Sequence, residues 1–345
     1  MAYISFQPSD FFNNVLYTGT GSSNTVTGVG FQPDFTWIKN RGTTDGQDVY
    51  DSVRGAGQRI RTNTSAIEAD QISDSLSAWV ADGFTVLTNN AVNASANTYV
   101  SWNIKAGTTT GIAGSPSITP SSYSFNQTSG FSIIAYTGNG TAGATIPHGL
   151  GVVPDMVIVK KLSSTSDWFV YHSKIDATAP QDYYLSLNGT AGSTNNNGEW
   201  YDTAPTSTLV TLGANTTTNT ETFIAYCFAS IKGYSKFGSY TGNAAVDGQF
   251  IYTGFRPALV IIKRTSTTGN WTLWGSKRAG YNVKNAELQP NLTSAEDTTS
   301  NRFDLLSNGF KMRDSSPTIN DGSYIYMAIA EFPLVSSNDV PGVAR

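Results

Sequence analysis

The sequence predicts an all-β protein of three tandem, divergent antiparallel β-sandwich domains of jelly-roll or lectin-like type. Three observations predict it: a composition built for sheets and turns, a set of motifs that occurs three times, and short apolar strands between closely spaced turn signals. Charged residues make up 13% of the 345-residue chain and aromatic residues 12%, and glycine occurs 33 times. Runs of Ala, Leu, Glu and Lys that would favour helices are missing, whereas β-branched, aromatic and turn-forming residues abound.

The tripled motifs set the domain order. A Tyr-Thr-Gly step opens each unit, at Tyr17-Thr18-Gly19, Tyr136-Thr137-Gly138 and Tyr240-Thr241-Gly242. A proline follows (Pro33, Pro154, Pro257), then an apolar strand ending in lysine: Phe35–Lys39, Met156–Lys160 and Leu259–Lys263. A polar hairpin turn leads to an aromatic–x–Ser–basic strand at Tyr50–Arg54, Tyr171–Lys174 and Trp274–Lys277. Each unit closes on an aromatic-rich strand, Tyr99–Ile104, Phe223–Phe228 or Tyr324–Ile329. Units one and three share a Gly turn feeding a strand, Asp82–Val86 and Asn308–Met312; unit two has no clear equivalent, its nearest match, Leu209–Gly213, lacking the Gly-Phe step.

These landmarks divide the chain into an N-terminal docking segment (1–16) and repeats at 17–108, 109–232 and 233–345, with a small, polar, Pro-containing linker at 106–122. Units of about 100 residues can each enclose a core, so they are expected as beads in series. The central strand of each unit is apolar at nearly every position, which requires burial on both faces. A short helix is expected within Thr64–Trp79, and the tail Val335–Arg345 is expected to be loose.

The same residues argue against most chemistry. A net charge of −4 without a basic block gives nucleic acid no electrostatic hold, and no apolar run is long enough to span a bilayer. Met1–Pro8 lacks the pattern of a secretory leader. The single cysteine, Cys227, excludes an intrachain disulfide and sits in an apolar run, as a buried thiol would. His148 and His172 lack ligand-spaced partners; no catalytic residue, metal ligand or cofactor site is assigned. Glu68 and Glu296 occupy similar places in units one and three, which reads as structural more readily than catalytic, although a composite acidic site between units stays open. Asp45–Asp48 and Asn195–Glu199 are oxygen-rich loops unlike an EF-hand; bound calcium is left open. Lys39, Lys160 and Lys263 are read as strand ends that carry their charge out to water, with ligand contact as the alternative. Trp168, Trp200, Trp271 and Trp274 could form platforms for sugar rings; along one strand Trp271 and Trp274 differ in parity, so one is expected to face out.

Two sets of segments resemble a domain common in tailed-bacteriophage virion proteins of marine and cyanobacterial hosts. They are Phe237–Asn243, Tyr252–Pro257 and Ile262–Arg264 with Leu306–Lys311 and Tyr324–Glu331 in unit three, and Gly30–Asp34, Trp37–Arg41 and Asp51–Gly55 in unit one. The resemblance is weak in unit two. It implies a structural or tail-fibre-like virion protein, made in the host cytoplasm and exposed on the particle. The expected partners are other virion proteins, a host surface glycan or protein, and the chain itself as a homotrimer, with no nucleic acid and no membrane insertion. Head decoration or a head fibre is the alternative; the sequence has no sustained heptads for a coiled-coil shaft, which points to a compact appendage or a decoration. The aromatic start, with Tyr3, Phe6, Phe11 and Phe12, is expected to dock onto another virion protein.

Overall fold

The computed structural model describes residues 5–278 and 281–333. Tyr3 and the tail Val335–Arg345 lie outside them. Alternating apolar residues and frequent turns give 25 strands among the described residues and one four-residue α-helix, α1 (Asn90–Asn93). The chain is all-β, with each unit contributing one large and one small antiparallel sheet.

Unit one contains β1 (Phe12–Thr18), β2 (Asn24–Val26), β3 (Phe35–Asn40), β4 (Gln47–Asp51), β5 (Gln58–Arg61), β6 (Ala69–Asp70), β7 (Leu76–Val80), β8 (Gly83–Val86) and β9 (Thr98–Ile104). Its large sheet runs β1-β9-β3-β4-β5-β6 and its small sheet β2-β8-β7. Unit two contains β10 (Ser122–Asn126), β11 (Phe131–Thr137), β12 (Thr145–Pro147), β13 (Met156–Lys161), β14 (Trp168–His172), β15 (Tyr183–Ser186), β16 (Thr194–Asn195), β17 (Leu209–Thr211) and β18 (Thr222–Phe228). Its large sheet is β10-β11-β18-β13-β14-β15-β16, and β12 pairs with β17. Unit three contains β19 (Ser235–Thr241), β20 (Phe250–Tyr252), β21 (Phe255–Arg264), β22 (Trp271–Gly275), β23 (Phe303–Leu306), β24 (Gly309–Met312) and β25 (Ser323–Pro333), arranged as β19-β25-β21-β22 and β20-β24-β23.

The Tyr-Thr-Gly step has the same job three times. The rings of Tyr17, Tyr136 and Tyr240 stack on Tyr99, Phe223 and Tyr324 at centroid distances of 5.0, 5.1 and 4.9 Å. Their hydroxyls donate to the carbonyls of Val92, Thr216 and Ile319. Two residues on, a Cβ on Gly19, Gly138 or Gly242 would lie 2.1–2.2 Å from backbone atoms of the same loop, so glycine is required by the close approach.

Each large sheet is buried on two faces. One face packs on its own small sheet: Ile38, Tyr50 and Tyr99 on Phe84 and Val86 in unit one, Val157 and Ala225 on Ile146 and Val210 in unit two, Val260 and Tyr326 on Phe310 and Met312 in unit three. The opposite faces of all three large sheets meet in one central core. Equivalent positions stack there in layers, Trp37 with Ile158 and Ile261, and Trp102 with Tyr226 and Met327, as the shared register of the central strands requires. The units are therefore not beads in series. A continuous apolar centre takes up the surface that a free sandwich would show to water.

Three further expectations change. Residues 64–79 form β6 and β7 with turns and no helix, and Ile67 and Ile72, which a helix would have needed to bury, are exposed. The linker folds onto unit two, burying Ile118 in that unit's core, and is followed by the extra edge strand β10. Residues 5–16 of the expected docking segment are not a separate arm: Phe12 starts β1 and is buried in the central core, while Phe6 and Phe11 pack edge-on against Tyr234. Leu209–Gly213, by contrast, does supply unit two's counterpart of the Gly-turn strand, as β17.

Candidate functional site: three clasps around an apolar axis

The polar chemistry of the molecule gathers where the units meet. An eight-residue clasp occurs in each unit, at 61–68, 186–193 and 289–296, and each is gripped by the next unit at three points. The first point is a side-chain donor at the start of the second hairpin strand. Trp168 Nε1 donates to Arg61 O at 3.0 Å, Trp271 Nε1 to Ser186 O at 2.9 Å, and Gln47 Nε2 to Gln289 O at 2.6 Å. The second is the strand-terminal lysine. Lys160 Nζ donates to Ser65 O (3.1 Å), Lys263 Nζ to Thr190 O (2.9 Å) and Lys39 Nζ to Thr293 O (3.0 Å). The third is a backbone contact three residues further on: Glu68 N to Leu162 O, Ser193 N to Thr265 O and Glu296 N to Arg41 O, at 3.0, 2.9 and 2.8 Å. Unit two grips unit one, unit three grips unit two and unit one grips unit three, closing a ring within one chain.

An asparagine fixes each clasp to its own unit. The side-chain oxygens of Asn63, Asn188 and Asn291 accept the backbone N–H of Gln47, Trp168 and Trp271. Each lysine also donates to the carbonyl six residues ahead in its own turn, Asp45, Ser166 or Gly269. Burial pushes all three lysines down to about 8, and the carbonyl oxygens supply the solvation that water would have given. The lysines do not carry their charge out to water. They end the strand on the neighbouring unit.

Below the clasps the three seams diverge. Where unit one meets unit two, Arg54 Nε pairs with Asp51 at 2.6 Å and its Nη1 with Glu68 at 2.9 Å, while Tyr226 OH donates to Asp51 at 2.6 Å. Burial opposes the Arg54 charge, but Asp51, Tyr226 and Glu68 together hold its pKa above the ordinary value. Where unit three meets unit one, Arg278 and Arg41 share Glu296, each at 2.7 Å, and the Arg278 guanidinium lies 5.7 Å from the centre of the Trp102 ring. Here burial wins and lowers the pKa of Arg278. Where unit two meets unit three, the equivalent positions are Ile175 and Ser193, and His172 Nε2 donates to Tyr326 O at 3.1 Å. Glu68 thus pairs with the buried Arg54 of its own unit at the seam, while Glu296 pairs with the buried Arg278 of its own unit and with Arg41 across the seam.

None of the four tryptophans presents a face to a sugar. Trp168, Trp200, Trp271 and Trp274 are 0–2% exposed. Trp271 and Trp274 do point to opposite faces of β22, but both faces are covered, one by the central core and the other by the core of unit three. On the axis the packing leaves an apolar void of about 50 Å³, bordered by Trp37, Trp102, Ile158, Tyr226, Ile261 and Met327 among others.

The remaining sequence candidates are enclosed. His148 donates to Thr206 O and accepts from the Leu150 N–H, and burial lowers it to about 4. Cys227 is buried and pushed up to about 12. Asp45 and Asp48 are held by Asn40, Thr43 and Arg61, and Glu199 accepts from Asn215 Nδ2. Among the described residues no group of three or more His, Cys, Asp or Glu could hold a metal ion, and no helix is long and apolar enough to cross a membrane.

The clasps escaped the sequence reading because the groups recognised are backbone carbonyls. The trace they leave is an asparagine at the third clasp position, followed two residues later by Ser65, Thr190 or Thr293. A family model described as "Domain of unknown function (DUF7483)" matches residues 7–333, so one model spans all three units. No curated protein matches the chain.

Proposed function

The chain belongs to the DUF7483 family, a domain family of unknown function, and we propose that it is a non-enzymatic structural protein exposed on a bacteriophage particle. On this reading it is a tail-associated appendage that contacts the host surface. The observation that carries the proposal is the use made of its reactive groups. The buried lysines, Arg54, Arg278, His172 and two tryptophans reach from one unit to the next. What remains outward is mainly neutral Ser, Thr, Asn and Gly loops on a body stiffened by a shared core. Such loops suit recognition of a surface glycan or protein. The sequence resemblance of units one and three to tailed-phage virion proteins supports the same reading.

Antibodies against the recombinant protein should label purified virions at the tail in negative-stain micrographs, and the purified protein should bind host cells. Absence from the virion would refute the proposal. Abundant labelling of the head without cell binding would replace the appendage by a head decoration or head fibre, a role that a body without a helical shaft among its described residues also suits.

A further inference from the structure

The residue before the motif serine faces the next unit at every seam, and the three units fill that position differently. In unit one it is Asp51, whose carboxylate accepts from Arg54 Nε and from the Tyr226 hydroxyl of unit two, each at 2.6 Å. In unit two it is His172, which donates to Tyr326 O of unit three. In unit three it is Gly275, yet the arginine is kept: Arg278 stands two residues after Ser276, as Arg54 stands two after Ser52. The cation that Asp51 neutralises in one seam is repeated in another without its carboxylate.

Two buried donors converge on the place where that carboxylate would branch from the chain. An ideal Cβ on Gly275 would lie 3.4 Å from Asn14 Nδ2 of unit one and 3.5 Å from Arg278 Nε. Neither nitrogen has a hydrogen-bond partner among the described residues. Asn14 is 1% exposed and the Arg278 side chain 0% exposed, so both donors are shut off from bulk water. The third atom near that Cβ, Ala258 O at 3.5 Å, already accepts the Ser276 N–H at 2.9 Å. Trp102, whose ring lies 5.7 Å from the guanidinium, likewise has a buried Nε1 without a partner.

Charge points the same way. Arg54 has two carboxylates, Asp51 and Glu68, whereas Arg278 and Arg41 share Glu296. Glu287, the other carboxylate acting on Arg278, is committed to Arg302 at 2.9 Å. The same hairpin lacks a second acid. Asp34 and Asp155 accept from the hydroxyls of Ser52 and Ser173 at 2.7 Å. Ala258 takes their place in unit three, and Ser276 Oγ is buried without a partner among the described residues.

We infer that the seam between units three and one binds a small monovalent anion, of the size and charge of chloride, beside Gly275. Arg278 Nε and Asn14 Nδ2 donate to it, one from each unit. The ion plays the part that the Asp51 carboxylate plays between units one and two, neutralising a buried guanidinium and tying neighbouring units together. The site stands or falls independently of the virion assignment.

The test uses the full chain in sodium gluconate, with chloride replacing gluconate at constant ionic strength. The urea midpoint of the wild type should rise with chloride and level off, as binding to the folded state alone requires. The chloride NMR line should broaden in the presence of the protein. Gly275→Asp carries the carboxylate of unit one into this seam, and its Cβ meets its neighbours at ordinary contact distance. That variant should be at least as stable in gluconate as the wild type, and should lose both the chloride dependence and the line broadening. Asn14→Leu should weaken the apparent chloride affinity about tenfold, as loss of one hydrogen bond to a charged group predicts. A wild type indifferent to chloride would overturn the inference, leaving only water between the two donors. So would a chloride response that Gly275→Asp and Asn14→Leu both retain in full.

Discussion

The seam between units one and two and the seam between units two and three share a clasp and differ in everything beneath it. The first buries Arg54 among Asp51, Glu68 and Tyr226. The second has Ile175, Ser193 and Met327 at the corresponding positions, with His172 in place of Asp51. Both close the same ring. The difference teaches that the backbone and lysine contacts define where the units sit, while the layer below tolerates either a neutralised charge cluster or an apolar one. Continuum reasoning expects such tolerance, because a well-paired buried ion cluster and a well-packed apolar one have similar net stability. They differ sharply in what happens when one member is removed.

The largest effect should therefore come from Arg54→Met. It leaves Asp51, which is fully buried, with the Tyr226 hydroxyl and the backbone N–H of residue 54 as neutral donors and no cation. The expected loss is about 3–5 kcal/mol in urea unfolding, the cost of a buried carboxylate without its counter-charge. Adding Asp51→His and Glu68→Ser to an Arg54→Ile background rebuilds the second seam inside the first apart from Tyr226, which stands where that seam has Met327, and should restore most of that loss. If the triple variant is as unstable as Arg54→Met, the two seams are not interchangeable and the comparison fails.

How far this was legible from sequence follows from the kind of contact. The Tyr-Thr-Gly loops, the lysine-ended strands and the aromatic closing strands appear three times because side chains make those contacts, and side chains leave a trace in sequence. The all-apolar central strands did announce two buried faces. What they could not announce was that the second face belongs to other units, since Trp37, Ile158 and Ile261 meet at one axis without being alike. A layer of three identical tryptophans would overfill that axis, so a fused chain does best with unlike residues, and unlike residues hide the symmetry. The tryptophans misled for the same reason. Parity along β22 correctly separates Trp271 from Trp274, but parity reports which face a residue takes and not whether that face is wet. The expected helix at 64–79 failed because Ala66, Ile67 and Glu68 are committed to a clasp, where Glu68 N bonds to unit two.

Acid should separate the two seams next. Burial holds His172 at about 4, against about 6.5 for an exposed histidine. Below pH 6.5 the unfolded chain takes up a proton that the folded chain refuses until about pH 4, so stability is complete above this window and falls as the pH drops through it. At pH 5 the loss is about 2 kcal/mol for His172, and a similar loss attends His148, which is buried inside unit two. A His172→Gln variant should lose less stability than the wild type as the pH falls from about 6.5 to about 5, seen as a shallower slope of unfolding free energy against pH. An unchanged slope would mean that His172 is protonated within the seam.

The smallest effect probes what the seams have in common. At the first clasp point the donors are Trp168, Trp271 and Gln47, so the shared requirement is an N–H reaching a carbonyl and not an aromatic ring. Trp271→Phe keeps most of the ring volume in the central core and removes the donor to Ser186 O. It should cost about 1–2 kcal/mol, the price of one buried carbonyl left unmatched plus a small packing defect. Trp271→Gln keeps a donor but opens a cavity at the core edge, and should cost more, about 3 kcal/mol. The order of the two variants decides the matter. If glutamine is the milder change, the hydrogen bond dominates this clasp point, and the tryptophans of units two and three serve the carbonyl more than the core.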